Sequence, residues 1–216
     1  MKKYKHALIA IDTAIFTVKG GKLNVLLMRM AKKPFIGYWA LPGRLVSADE
    51  SLKSAAKKKL FENIKKDDIY TEQLYTFGDA GRDPFGRVVS TAYLALLPDH
   101  NLAKISEYKK WFPINKLPKL AYDHKEMITY GIKRIQAKLG YTNIVYSLLP
   151  DQFTLSRMQS YYEIILNKKL DKRNFRKKIN SLKIVKNTGK KDYGMPNRPA
   201  ELYKFIDKEY KLTEIL

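Results

Sequence analysis

The chain contains no cysteine. That excludes disulfide staples, cysteine-ligated zinc and a thiol nucleophile, and it suits a reducing, cytoplasmic setting. Long apolar runs are missing too. No segment reaches the roughly 18 uninterrupted apolar residues of a membrane helix, so no membrane partner is expected. The opening "MKKYKHALIAIDTAIF" joins basic residues to an apolar stretch, as a secretory leader would. Asp12 interrupts that stretch, however, and no small-residue cleavage site follows. It reads as a strand. Acidic residues are scarce: 21 Asp or Glu stand against 42 Lys or Arg, a formal net charge of +21. An excess of that size attracts nucleic acid or anionic surfaces. A lysine-rich composition throughout accounts for part of it. The rest is local, because residues 168–198 hold 12 Lys or Arg against 2 acids.

What is present suffices for a core. Hydrophobic residues make up 45% of 216, enough for one large domain or for a medium and a small one. Residues 5–17 and "LNVLLMRM" read as two strands joined by the glycine turn "KGGK". Leu52, Ala55, Ala56, Leu60 and Ile64 share one helical face within residues 51–64. "VVSTAYLALLP" reads as a strand ended by proline, and residues 123–140 as a helix that stops at a glycine, with Asp123 as its cap. Together these predict one mixed α/β domain over residues 1–146.

The pattern changes over residues 147–216. Thr154 can cap a helix running to about Leu166, and Asp171 can cap a second, "KRNFRKKINSL". Two strand-like pieces, "KIVKN" and "ELYKFI", flank a loop rich in Gly, Pro and Lys. Helix, short turn, basic helix and two-stranded hairpin is the order of a winged helix-turn-helix. A helical tail with a solvated basic face is the alternative. The apolar positions Leu155, Met158, Tyr162, Ile165, Phe175 and Ile179 favour the winged helix, since they would bury between the two helices.

Residues 37–67 carry a further pattern. The lead-in "WALPG" resembles the approach to a Nudix box, G-x5-E-x7-R-E-U-x-E-E-x-G-U with U aliphatic. In that register Arg44 stands on the glycine and Glu50 on the first glutamate. Lys58 and Lys59 stand on the Arg-Glu pair, Leu60 on the aliphatic position, Glu62 and Asn63 on the Glu-Glu pair, and Lys65 on the late glycine. Glu50, Leu60 and Glu62 match; Arg44, Lys59, Asn63 and Lys65 depart. In active members the carboxylates of this helix hold Mg²⁺, which bridges a diphosphate and activates water. Lysine at a ligand position repels that ion by on the order of 8 kcal/mol at 4 Å before screening. Catalytic residues and a resident metal or other cofactor are therefore not expected. Glu62 is expected to pair on the helix surface with Lys58 or Lys59.

The box, "GDAGRDPFGRVVSTAYLAL", "LAYDHKEMI" and the tail "LDKRNFRKK…RPAELYKF" together resemble the NrtR-type Nudix-related transcriptional regulators, over roughly residues 5–206. The resemblance implies a Nudix-like mixed sheet sandwiched by helices, followed by a small winged helix-turn-helix domain. It further implies a homodimer, a palindromic double-stranded DNA operator, and DNA release on binding a small effector, ADP-ribose-like or a sugar. Arg82, Asp83 and Arg87, in a Gly/Pro-bounded loop, then become ligand candidates with Arg44, Glu50 and Glu62. Two arginines so placed can clamp a diphosphate, whereas a surface Arg–Asp pair is the plain alternative. Arg44 could add an anion contact or block the mouth. Tyr38 or Trp39 could stack on a base or sugar, with a core role equally open for Trp39. His124 is not read as a base.

For DNA, the candidates Lys172, Arg173, Asn174, Arg176 and Lys177 crowd the first turns of the second helix, the end that enters a major groove. Arg can read guanine and Asn adenine. Thr154 and Ser156, at the start of the supporting helix, can take a phosphate. Lys190, Lys191 and Arg198 fall in the wing. The rival function is a working Nudix hydrolase of nucleoside diphosphate derivatives with a nucleic-acid-binding tail.

Overall fold

The structure is a computed structural model and describes residues 6–64, 69–102, 105–193 and 199–215. In chain order it comprises β1 (Leu8–Lys19), β2 (Lys22–Arg29), β3 (Trp39–Ala40), β4 (Gly43–Leu45), α1 (Leu52–Ile64), β5 (Tyr70–Phe77) and β6 (Val88–Leu96). There follow β7 (Lys109–Pro113), α2 (His124–Tyr141), α3 (Leu155–Leu166), α4 (Lys172–Ser181), β8 (Val185–Asp192) and β9 (Ala200–Phe205). Short 3₁₀ turns occupy Asp99–Asn101 and Ile144–Ser147. The chain divides into two compact units. The first holds residues up to 17, 24–97 and 101–131; the second holds 18–23, 98–100 and 132 onward.

A mixed seven-stranded sheet runs β3-β2-β1-β6-β5, with β4 paired to β1 and β7 to β2. β1 and β6 are parallel, in a register that sets Asp12 beside Ala92. β1 alternates faces, as strand geometry demands. Its odd residues Ile11 and Ile15 pack with Ala55, Ala56, Leu60 and Ile64 of α1. Its even residues Ala14 and Phe16 face α2, so closely that a Cβ on Gly131 would come within 2.7 Å of the Phe16 ring. The two helices thus cover opposite faces, and Asp12, also even, lies on the α2 side. That is the sheet sandwiched by helices expected from the sequence. β3, β4, β5 and β7 were not legible there; β3 and β4 span only two and three residues.

In the second unit, α3 starts at Thr154, whose hydroxyl accepts from the Arg157 N–H, and α4 starts at Asp171, which accepts from the Asn174 N–H. Both caps fall where the sequence placed them. Leu155, Met158, Tyr162, Ile165, Phe175 and Ile179 are all buried, with the Tyr162 and Phe175 rings 5.3 Å apart and edge-on. This is a core, so the solvated helical tail is set aside. β8 and β9 form an antiparallel hairpin. β8 runs to Asp192, five residues beyond the strand end expected at Asn187. A register shift between Asn187 and Lys191, with Gly189 at φ +73°, lets the ladder resume after a bulge. Lys190 and Lys191 consequently belong to the strand.

Candidate functional site

The stretch that resembles a Nudix box carries ion pairs that tie its carboxylates to cations. Glu50 accepts from the Ser47 N–H at 3.0 Å and lies 2.6 Å from Arg44 and 3.1 Å from Lys58. The Ser47 backbone bond, aided by the two cations, pulls its pKa down to about 2. Glu62 pairs with Lys59 at 3.0 Å, the helix-surface pair expected from spacing. Asn63 donates its side-chain amide to the Lys59 carbonyl, 2.8 Å away along the helix. Arg44, which was to contact an anion or block the mouth, points its guanidinium at Glu50. Lys65 lies outside the described residues.

A second cluster assembles on the α2 face. The Arg82 fork donates to both oxygens of Asp123, Nε and one terminal nitrogen each at 2.7 Å. The expected Arg–Asp pair therefore exists, but its acid is Asp123 and not Asp83. Asp83 instead accepts from the Phe85 N–H within the loop. Arg87 donates to the Gly78 carbonyl at 2.6 Å. Asp123 stands at the head of α2 as expected, its carbonyl accepting from the Glu126 and Met127 N–H groups, while both oxygens of its carboxylate accept from Arg82. The long reach of arginine brings together residues 41 apart in sequence, which local spacing could not show.

Behind this pair sits Asp12, whose carboxylate accepts from the Ser90 hydroxyl at 2.6 Å. Arg82 approaches it to 4.0 Å and His124 Nε2 to 3.5 Å. His124 Nδ1 accepts from the Leu41 N–H at 2.9 Å, so the ring proton resides on Nε2, facing Asp12. Burial pushes the His124 pKa down, against the pull of Asp12. The enclosed imidazole thus has both nitrogens facing partners, Leu41 on one side and Asp12 on the other. Gly43 is required here, since a Cβ would stand 2.0 Å from an Asp12 oxygen. Sequence reasoning missed Asp12 and Ser90 as members. The available signal was the single charge in the apolar β1 run.

Near the same loops, Lys119 Nζ sits 4.4 Å over the Tyr38 ring. The half-buried Trp39 ring packs edge-on against the half-buried Phe112 at 4.7 Å.

In the second unit the basic candidates share one end of α4. Lys172, Arg173, Asn174, Arg176 and Lys177 are exposed, while Phe175 and Ile179 face inward. Arg176 donates to the Ser156 hydroxyl at 3.1 Å, which ties the two helix starts together. Thr154 is engaged by its cap bond, and Lys190 and Lys191 are exposed on β8. Arg198 lies outside the described residues. The result is a cationic helix end beside a cationic hairpin, suited to a polyanion.

Comparison with known proteins matches the NUDIX domain family to residues 9–130 and the NrtR DNA-binding winged helix domain to residues 145–205. The chain is 36% identical to the ADPR responsive transcriptional repressor NtrR of Acinetobacter baylyi, over 96% of this chain and 85% of that protein. Shewanella oneidensis NrtR, crystallised with a 27mer DNA, superposes with a TM-score of 0.81 at 32% identity, covering 91% of this chain and 93% of the other. The NUDIX domain of the same Shewanella protein, crystallised with ADP ribose, matches with a TM-score of 0.53 at 34% identity, over 61% of this chain and 90% of that one.

Proposed function

Because the chain belongs to the NrtR family of Nudix-related transcriptional regulators, we propose that it represses transcription by binding DNA through residues 147–216 and releasing it when ADP-ribose or a similar metabolite fills the Nudix-like domain. The observation that carries the reading is the N-terminal end of α4. There an Asp171 cap and a buried Phe175 fix a turn that exposes Lys172, Arg173 and Asn174 together. A side chain that reads a base edge must be held by a rigid element, and this one is.

The effector side rests on Arg44, Glu50, Glu62, Arg82, Asp83 and Arg87, which border or belong to the two clusters of the Nudix-like domain. The protein works as a cytoplasmic homodimer on a palindromic site, since a two-fold protein matches a two-fold operator. Hydrolysis is lost. Lysine at position 59 and asparagine at position 63 stand where the box provides carboxylates, and Glu50 is already neutralised by Arg44 and Lys58.

Selection of duplexes from a random pool, followed by ADP-ribose titration of the complex, tests the reading. The selected sequences should share an inverted repeat, and ADP-ribose should weaken the complex by the same factor by which DNA weakens ADP-ribose binding. Failure to enrich any sequence sinks the DNA-binding claim. Equal effector affinity with and without DNA sinks the regulatory one. With Mg²⁺ present, ADP-ribose turnover above about 0.1 s⁻¹ would show a working enzyme.

A further inference from the structure

Residues 207–215 follow the hairpin and return to the end of α2. There the Thr213 and Ile215 N–H groups donate to the carbonyls of Tyr141 and Gly140, each at 2.8 Å. These are carbonyls that a helix end leaves without intrahelical partners. Asn143, 2% exposed, grips the segment from both sides: its amide donates to the Glu209 carbonyl and its oxygen accepts from the Lys211 N–H, both at 2.8 Å. Lys138 donates to the Tyr210 hydroxyl at 3.0 Å and lies 4.4 Å over the same ring. The segment ends on Ile215, itself only 2% exposed. Ile215 lines one cavity with Leu170, Asn174, Phe175 and Lys178.

We propose that segment 207–215 is a positioning strap for the base-reading turn of α4. The proposal rests on the reading of α4 as the DNA-recognition helix. α4 is a ten-residue helix with two buried residues, too short to hold its orientation alone. α3 supports it through Tyr162 against Phe175. Ile215 supplies a second wall, at the end that carries Arg173 and Asn174. The Asn143 clamp fixes where that wall stands. The strap touches no nucleic acid; it acts by keeping the turn in register.

The test uses the full chain and a duplex selected by the wild-type protein from a random pool, beside a scrambled duplex. Ile215→Ser removes the wall, Asn143→Ala loosens the clamp, and Ile215→Val is the conservative control. A positioning role predicts that the first two lose about tenfold or more on the selected duplex and less than about twofold on the scrambled one, which reads only charge. The valine variant should keep wild-type affinity on both. Unchanged affinity of Ile215→Ser and Asn143→Ala on the selected duplex overturns the proposal. So does an equal loss on both duplexes, the mark of a DNA-binding unit that has simply come apart. If the wild-type protein itself selects no sequence, the recognition-helix reading fails first, and the strap falls with it.

Discussion

Arg82 and Asp123 form a two-pronged ion pair, each bond 2.7 Å long, with the arginine side chain 4% exposed and the aspartate 18%. Burial opposes the Arg82 charge, but the Asp123 bonds outweigh it and its pKa rises. Breaking a buried pair by removing one partner is costly because it leaves the other charge uncompensated. Asp123→Asn is expected to destabilise the protein by about 2–4 kcal/mol, scaled down from a fully buried pair for its partial exposure. Arg82→Lys should fail to preserve stability, since a lysine cannot supply the planar fork. Urea denaturation measures both. A loss below about 0.5 kcal/mol, the range of ordinary surface changes, would show the pair to be dispensable.

His124 sets a pH dependence whose sign follows from its lowered pKa. In the unfolded chain it takes a proton near its ordinary value of 6.5; in the folded protein it resists. The unfolded state therefore binds more protons below pH 6.5, and stability falls as pH drops from there towards the depressed folded value. His124→Gln, which keeps an acceptor for the Leu41 N–H, should remove that loss. Melting temperatures from pH 7.5 to 5 check it. Parallel curves for the two proteins would contradict the assignment.

Tyr162 buries its hydroxyl without a hydrogen-bond partner among the described residues, at the centre of the α3–α4 core. Burial also raises its pKa. An unpaired buried hydroxyl costs about 1–3 kcal/mol of desolvation. Tyr162→Phe keeps the edge-on contact with Phe175 and should raise stability by about 1 kcal/mol. A destabilised phenylalanine variant would reveal that the hydroxyl is satisfied in solution.

The DNA-binding half was legible because its signals are local. Thr154 and Asp171 each cap the helix that follows by accepting from the N–H three residues ahead, and the buried positions recur at helical spacing. The Nudix-like half was legible where a motif fixes the register: Glu62 pairs within its own helix as spacing required. What escaped depends on residues far apart in the chain. Asp12 meets Ser90 across 78 positions, and Arg82 meets Asp123 across 41. No periodicity encodes such meetings. They follow from the parallel pairing of β1 with β6 and from α2 lying over the even face of β1. The Lys190–Lys191 strand escaped for a different reason. A bulge preserves pairing through a glycine that reads in sequence as the start of a loop.

The recognition helix should divide its labour in a way that a merely basic surface would not. Arg173 and Asn174 stand exposed in the first turn of α4, held by the Asp171 cap and the Phe175 anchor. Their side chains can form directed hydrogen bonds with base edges, so alanine at either should cost about 1–3 kcal/mol on the selected duplex and much less on a scrambled one. Arg176 differs because it reaches back to Ser156. Ser156→Ala frees its guanidinium, and a change in sequence choice on that substitution would show that the bond aims Arg176. Lys190 and Lys191 lie exposed on β8, where a flexible ammonium is expected to meet phosphate. Replacing either should weaken both duplexes alike and reduce the salt slope by about one. Binding curves at several salt concentrations separate the two classes. If Arg173→Ala and Asn174→Ala lower affinity equally on both duplexes, with the same change in slope as the β8 lysines, then α4 contributes charge alone and sequence choice resides elsewhere.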